Sequence, residues 1–234
     1  MELSEKVVVV TGGASGIGRA MAKCFAREGA AGVVVADLDG EGAEAVAAEI
    51  GDGALGLACD VSDAAALDGL IDRAEDEFGP VDLFCANAGV GVGSELGELA
   101  EWELAFGVNV FAHIHAARRL VPGWLERGQG YFLTTASAAG LLTQVGSAPY
   151  AVTKHAAVAF AEWLRVTYGA RGVRVSCLCP MGVATPLFEA GLDEPGPAGT
   201  ASRTVAAAGQ VLEPTDVADT VVAALAEERF LILP

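Results

Sequence analysis

"KVVVVTGGASGIG", residues 6–18, sets four consecutive valines one residue before a cluster of closely spaced glycines. An unbroken β-branched run reads as a strand buried on both faces. Beyond the glycines, Ile17, Ala20, Met21, Cys24 and Phe25 recur at helical spacing. The stretch therefore predicts a strand, a glycine turn and a helix in succession. A helix N-terminus offers unpaired N–H groups at a positive dipole end, and a chain bare of side chains there can approach a pyrophosphate closely. Glycines also serve ordinary tight turns, so the reading depends on the strand after the helix. That apolar run, "GVVVADL" (32–38), ends in Asp37, nineteen residues after Gly18. An acid at that place suits the ribose hydroxyls of an adenosine.

The same alternation continues along the chain. Helices are expected over 41–50, 63–78, about 101–127, 149–170 and 214–227, the second closing at Gly79-Pro80. Between them lie the apolar runs "ALGLACD" (54–60), "VDLFCANAG" (81–89), "GYFLTTAS" (130–137), "VRVSCLCP" (173–180) and "RFLILP" (229–234). Strands of this kind alternating with helices predict a doubly wound α/β sandwich: a seven-stranded parallel sheet with helices on both faces. Residues 181–212, with Pro186, Pro195, Pro197 and several glycines, read as a long functional loop. Neither an internal repeat nor a second domain is expected, so 1–234 reads as one domain.

Composition narrows the function. With 53% apolar and 19% charged residues, the chain is well cored. Fourteen basic against thirty-one acidic residues give a net charge of −17, a field that repels nucleic acid and anionic membranes. No apolar run approaches the ~18 residues of a membrane span, and the N-terminus runs straight into a strand, so no signal peptide is expected. The five cysteines are odd in number and lack a C-x-x-C pair. They read as buried free thiols of a cytoplasmic protein. His113 and His115, two apart, point to different helix faces, and no metal site is expected.

The chain has only three tyrosines and three lysines, yet "YAVTK" (150–154) places Tyr150 and Lys154 one helical turn apart in an apolar setting. A surface lysine lying across a tyrosine ring would give the same spacing. A phenol of pKa about 10 must lose some 2–3 units, ~3–4 kcal/mol, to act as a base near neutrality. A neighbouring ammonium in a dry setting favours the phenolate.

"TGGASGIG", "NAG" (87–89), Ser137 and "YAVTK" together, in this order along essentially the whole chain, resemble the short-chain dehydrogenase/reductase family. The resemblance implies an NAD cofactor held by Gly12, Ser15, Gly16, Ile17, Gly18, Asp37, Asp60, Val61, Asn87, Ala88, Gly89, Tyr150, Lys154, Pro180, Val183 and Thr185. It implies catalysis by Asn109, Ser137, Tyr150 and Lys154. Tyr150 would move the hydroxyl proton and Ser137 bind the substrate oxygen. Lys154 would hold the nicotinamide ribose, and Asn109 would complete a water relay to the lysine. Asp60 and Val61 would contact the adenine, with Asn87 beside the adenosine ribose. Met181 stands where the family usually has glycine, and the chain stops directly after its last strand, where relatives often carry a tail.

Interconversion of a secondary alcohol and a ketone is the activity the resemblance implies. The alternatives are an NADPH-dependent 3-oxoacyl reductase, for which Ser15, Asp37 and Asp39 replace the basic residue a 2′-phosphate needs, and a non-catalytic dinucleotide sensor, which tends to lose the tyrosine or lysine. By position, Val90, Val92, Leu141, Leu142, Gln144, Val145, Met181, Leu187 and Phe188 would line the substrate pocket, so a neutral, hydrophobic substrate is expected. The helices near 106–121 and 149–170 carry more apolar residues than one sheet face can cover. A homodimer or homotetramer is expected to bury them.

Overall fold

The computed structural model describes residues 1–197 and 199–234. Its strands are β1 Val7–Thr11, β2 Gly32–Asp37, β3 Ala54–Ala58, β4 Leu83–Ala86, β5 Gly130–Thr135, β6 Val173–Leu178 and β7 Leu231–Ile232. All pair in parallel in one sheet, in the order β3-β2-β1-β4-β5-β6-β7. Helices α1 (Gly16–Arg27), α2 (Gly40–Ile50) and α3 (Ala64–Phe78) follow the first three strands. Next come α4 (Leu99–Phe106), α5 (Ala112–Arg127), α6 (Ala148–Tyr168), α7 (Pro186–Asp193), α8 (Thr200–Ala208) and α9 (Pro214–Ala226). The expected doubly wound sandwich is what the chain forms.

Alternation along β1 divides the core into two layers. Val7 and Val9 face the layer covered by α3, α5 and α6, where Leu67, Ile71, Ala116, Leu120, Ala157 and Ala161 are buried. Val8 and Val10 face the layer of Met21, Phe25, Val217 and Val221, under α1 and α9. A strand with both faces dry can only be an unbroken apolar run. All five cysteines are buried and free. Among the described residues, no helix is long and apolar enough to cross a membrane.

Two segments differ from the sequence expectation. Residues 181–212 are not one loop, because α7 and α8 form inside them. Pro186 marks a helix start, not a break: it stands in the first turn, where no N–H is needed, and Thr185 caps that turn by accepting from the Phe188 N–H at 3.2 Å. Val183 and Leu212 pair as an isolated parallel bridge that closes the excursion. Ala198, within this stretch, lies outside the described residues. The second difference is at 101–127, where a π-helical turn, Gly107–Phe111, separates α4 from α5. Such insertions recur at functional sites, and this one carries Asn109.

Candidate active site

Strand order reverses between β1 and β4, and the crevice outside the C-terminal ends of these strands is where open α/β sheets bind ligands. The glycine loop lies there. Gly12 and Gly16 have φ of +65° and +51°, which side chains rarely adopt. A Cβ on Gly18 would fall 2.0 Å from the Gly12 carbonyl oxygen, so the loop closes on α1 only without one. Ser15 is exposed at the N-cap of α1 and makes no side-chain cap, which leaves the first helical N–H groups facing the crevice. Ile17 packs back onto the α1–α9 layer.

Asp37, at the end of β2, accepts from the Ala14 N–H at 3.0 Å and the Asp39 N–H at 3.1 Å. It thus ties the glycine loop to the next turn and is only partly buried. Asp60 is exposed and accepts from the Ser62 N–H and hydroxyl, while Val61 behind it is buried. Asn87 does not point freely into the crevice: its amide nitrogen donates to the carbonyls of Thr11 and Gly12 at 2.9 and 3.3 Å. Thr11, which sequence reasoning passed over, is the hub here. Its hydroxyl donates to the Cys85 carbonyl and accepts from the Asn87 and Ala88 N–H groups. A threonine closing an apolar strand just before the glycines was the available signal.

Ser137, two residues beyond β5, caps a short 3-10 turn, Ala138–Gly140, by accepting from the Ala139 N–H. The Ala138 N–H donates to the Pro180 carbonyl at 2.8 Å, which joins this turn to the end of β6. Tyr150 and Lys154 sit on α6, whose start is fixed by Ser147: its hydroxyl accepts from the Tyr150 N–H and donates to the Val92 carbonyl. The Lys154 Nζ lies 5.7 Å from the centre of the Tyr150 ring and donates to the Thr135 carbonyl at 3.1 Å. It is 3% exposed. Gly89 leaves room for it, since a Cβ there would lie 3.2 Å from Nζ and 3.3 Å from the Asn109 Oδ1.

Electrostatically the pair differs from the expectation. Burial pushes the Tyr150 phenol up, and only the Ser137 hydroxyl acts against it. Burial also pulls Lys154 down to about 8, opposed by the Cys177 and Cys179 sulfurs. Desolvation disfavours both charged forms, so in this state the ammonium does not overcome the cost of a buried phenolate. Asn109 is wholly buried and its side chain is engaged. Its Oδ1 accepts from the Val90 N–H, and its Nδ2 donates to the Val90 carbonyl and the Thr153 hydroxyl.

Beyond Tyr150, Leu187 closes over Gly91: a Cβ on Gly91 would meet Leu187 Cδ1 at 3.3 Å and Tyr150 Cδ2 at 3.8 Å. Leu141, Leu142, Val145, Met181 and Leu187 are exposed around this point, and Val90, Val92, Gln144 and Phe188 are partly buried. Thr185 lies against the glycine loop, since a Cβ on Gly16 would fall 2.9 Å from its Cγ2. Val183 behind it is buried.

A family profile described as short chain dehydrogenase matches residues 6–195. A 1-deoxy-11-beta-hydroxypentalenate dehydrogenase of Streptomyces exfoliatus is 42% identical, over 99% of this chain and 84% of its own. A solved short chain dehydrogenase/reductase from Burkholderia phymatum in complex with NAD superposes with a TM-score of 0.90 at 34% identity, covering 100% of this chain and 90% of that one. A 3-ketoacyl-(acyl-carrier-protein) reductase from Brucella melitensis complexed with NADH gives a TM-score of 0.88 at 32% identity, over 99% and 97%. The chain belongs to the short-chain dehydrogenase family.

Proposed function

We propose that this enzyme interconverts a bulky, hydrophobic secondary alcohol and its ketone with NAD as cofactor. The observation that carries the reading is the convergence of Ser137, Tyr150 and Lys154 on the sheet edge that also carries the glycine loop and the uncapped N-terminus of α1, where strand order reverses. The glycine cradle fits a dinucleotide: Cβ atoms at Gly12 and Gly18 would strike the backbone of Ala88 and Gly12, so only glycines let the loop close tightly before the uncapped helix N-terminus that a pyrophosphate favours. When bound, NAD supplies the carbon that accepts or returns hydride, and in its oxidised form a positive charge.

The chain's own residues do the rest. Ser137 orients the substrate oxygen, and Tyr150 gives it a proton in reduction or takes one in oxidation. Its raised pKa keeps the phenol protonated before the cofactor binds, the form that reduction needs. Oxidation needs the phenolate, which a positive neighbour favours. Lys154 supplies one such charge and holds the nicotinamide ribose. Asn109, with its side chain occupied by Val90 and Thr153, serves a relay through its main chain and by shaping the π turn. Asp37 selects NAD over NADP. Gly12, Ser15, Gly16, Ile17 and Gly18 seat the pyrophosphate. Asp60, Val61 and Asn87 line the adenosine side, Ala88 and Gly89 lead from there to Lys154, and Pro180, Val183 and Thr185 line the nicotinamide side.

The exposed apolar rim from Leu141 to Leu187 supports a large neutral substrate face, as does a relative named for a hydroxypentalenate. The 3-ketoacyl reductase reading keeps support from the Brucella melitensis likeness, but Asp37 and Asp39 suit a 2′-phosphate poorly. We place the protein in the cytoplasm, where its five buried thiols stay reduced. We also propose a homodimer or homotetramer. Most of the apolar residues of α5, together with Leu164 of α6, prove to be buried under the chain's own sheet. Leu104, Phe111, Val152, Trp163 and Val166 remain exposed as the stripe for a second copy. A panel of alcohols and ketones followed by cofactor absorbance tests the whole reading. Turnover of bulky apolar members supports it, and no turnover with any member contradicts it.

A further inference from the structure

Among the described residues, four buried side-chain polar atoms have no hydrogen-bond partner in the protein: both ring nitrogens of His113 and the hydroxyls of Thr134 and Thr135. Buried polar groups are nearly always paired, so each such atom calls for an explanation. Thr135 faces the α1–α9 layer, following Leu133 two residues before it. Thr134 alternates with it and faces the α5–α6 layer together with Phe132 and Ala136. His113 belongs to that same layer. It is 1% exposed, one turn after Asn109, and is flanked on α5 by Ala112, Ala116 and Ala117.

Lys154 reaches this layer from α6. Thr134 pairs in register with Cys177, whose Sγ is 3.7 Å from that of Cys179. Both sulfurs influence the lysine, and the lysine charge in turn depresses His113. Among the described residues, the Lys154 ammonium, with three protons, has one hydrogen-bond acceptor, the Thr135 carbonyl. A charge with so few partners in a dry layer is poorly supported. A neutral imidazole offers one donor and one acceptor, and a threonine hydroxyl offers both, enough to hold a water that needs two to four polar partners.

We propose that His113 and Thr134 form a buried hydration site behind Lys154 and that the water held there supports the lysine ammonium. His113 is then a positioning residue for the proposed chemistry, acting through Lys154 and touching neither substrate nor cofactor. Burial first, and the Lys154 charge second, hold the imidazole down to about 3, so it stays neutral at working pH. The titratable groups that bear on Lys154 are Tyr150 on its own helix, Cys177 on β6 and Cys179 just beyond it, and His113 on α5. Glu162 acts on Cys177.

The catalytic consequence rests on the function proposed above, but the site itself can be tested without turnover. The chain has three lysines, Lys6, Lys23 and Lys154, so the Lys154 Nζ can be titrated by NMR in the lysine-labelled full chain. His113→Leu should lower its pKa by about one unit, a ten-fold loss of ammonium above that pKa. His113→Gln, which keeps a donor and an acceptor, should restore most of the shift. His113→Leu should also cut kcat several-fold with the KM for NAD unchanged. A folded His113→Leu protein whose Lys154 titrates as in the wild type overturns the proposal. Should that variant fail to fold, Thr134→Val decides: a smaller fall in the same direction supports the site, and none refutes it. If no alcohol or ketone is turned over, the oxidoreductase reading fails while the lysine titration still decides for or against the hydration site.

Discussion

Replacing Asp37 separates two effects that its geometry combines. The carboxylate accepts from the Ala14 and Asp39 N–H groups and, in the proposed complex, from the ribose hydroxyls. A 2′-phosphate would meet it as like charge. At about 5 Å in a partly exposed site, that repulsion is worth roughly 1–3 kcal/mol. The wild type should therefore prefer NAD over NADP by about ten-fold or more in kcat/KM. Asp37→Asn removes the charge and keeps one oxygen, enough for the Ala14 N–H but not for the Asp39 N–H as well, so the ratio should fall toward one with a smaller loss of Tm than Asp37→Ala. Asp37→Ala also removes the acceptor. Losing the Ala14 contact costs about 1 kcal/mol, a fall of roughly 2–4 °C for a chain of this size. Initial rates with both cofactors and a thermal melt of each variant provide the readout. Equal use of NAD and NADP by the wild type, or an unchanged ratio in Asp37→Asn, would refute the charge argument.

Three further outcomes are expected. Gly18→Ala puts a methyl 2.0 Å from the Gly12 carbonyl oxygen, so NADH affinity by titration calorimetry should fall at least about ten-fold and stability by ~1–3 kcal/mol; wild-type affinity would show that the loop is not the cradle. Lys154, held at about 8 against an ordinary 10.5, makes the fold carry a buried charge below pH 8. That cost, ~3 kcal/mol, is relieved as pH rises from about 8 toward 10.5. Lys154→Met should thus be inactive yet more stable at pH 7, with the gain over wild type shrinking toward pH 10 in denaturant titrations; a gain that grows with pH would reverse the assignment. Trp163→Glu with Val166→Glu should turn a multiple of 23.7 kDa into a monomer by light scattering, with lower activity; an active wild-type monomer would contradict the interface.

The sheet was legible because burial on both faces leaves a strand such as Val7–Val10 no polar position to blur its ends. The proposed site could be read from the sequence where chemistry constrains spacing: Gly12 to Gly18, Asp37, and Tyr150 with Lys154. What the sequence hid was set by tertiary contacts. Pro186 reads as a breaker until Thr185 is seen capping the turn it begins. Nothing local marks the extra residue of the π turn at Gly107–Phe111, which serves to bring Asn109 onto Val90 and Thr153. The sign of the Tyr150 shift depended on how dry the pocket is, a property of the packed layers and not of the motif.

Tyr150→Phe tests the central claim most directly, because it removes one oxygen and its proton and leaves the glycine cradle, Asp37 and Lys154 in place. NADH binding and single-turnover reduction of a ketone found in the substrate panel should be measured on the same preparation. The account predicts a Kd for NADH within about three-fold of wild type and a rate lowered by at least about 10²-fold, the scale of a lost general acid. A phenylalanine variant that keeps more than roughly a tenth of the wild-type rate would show that the proton is moved by another group.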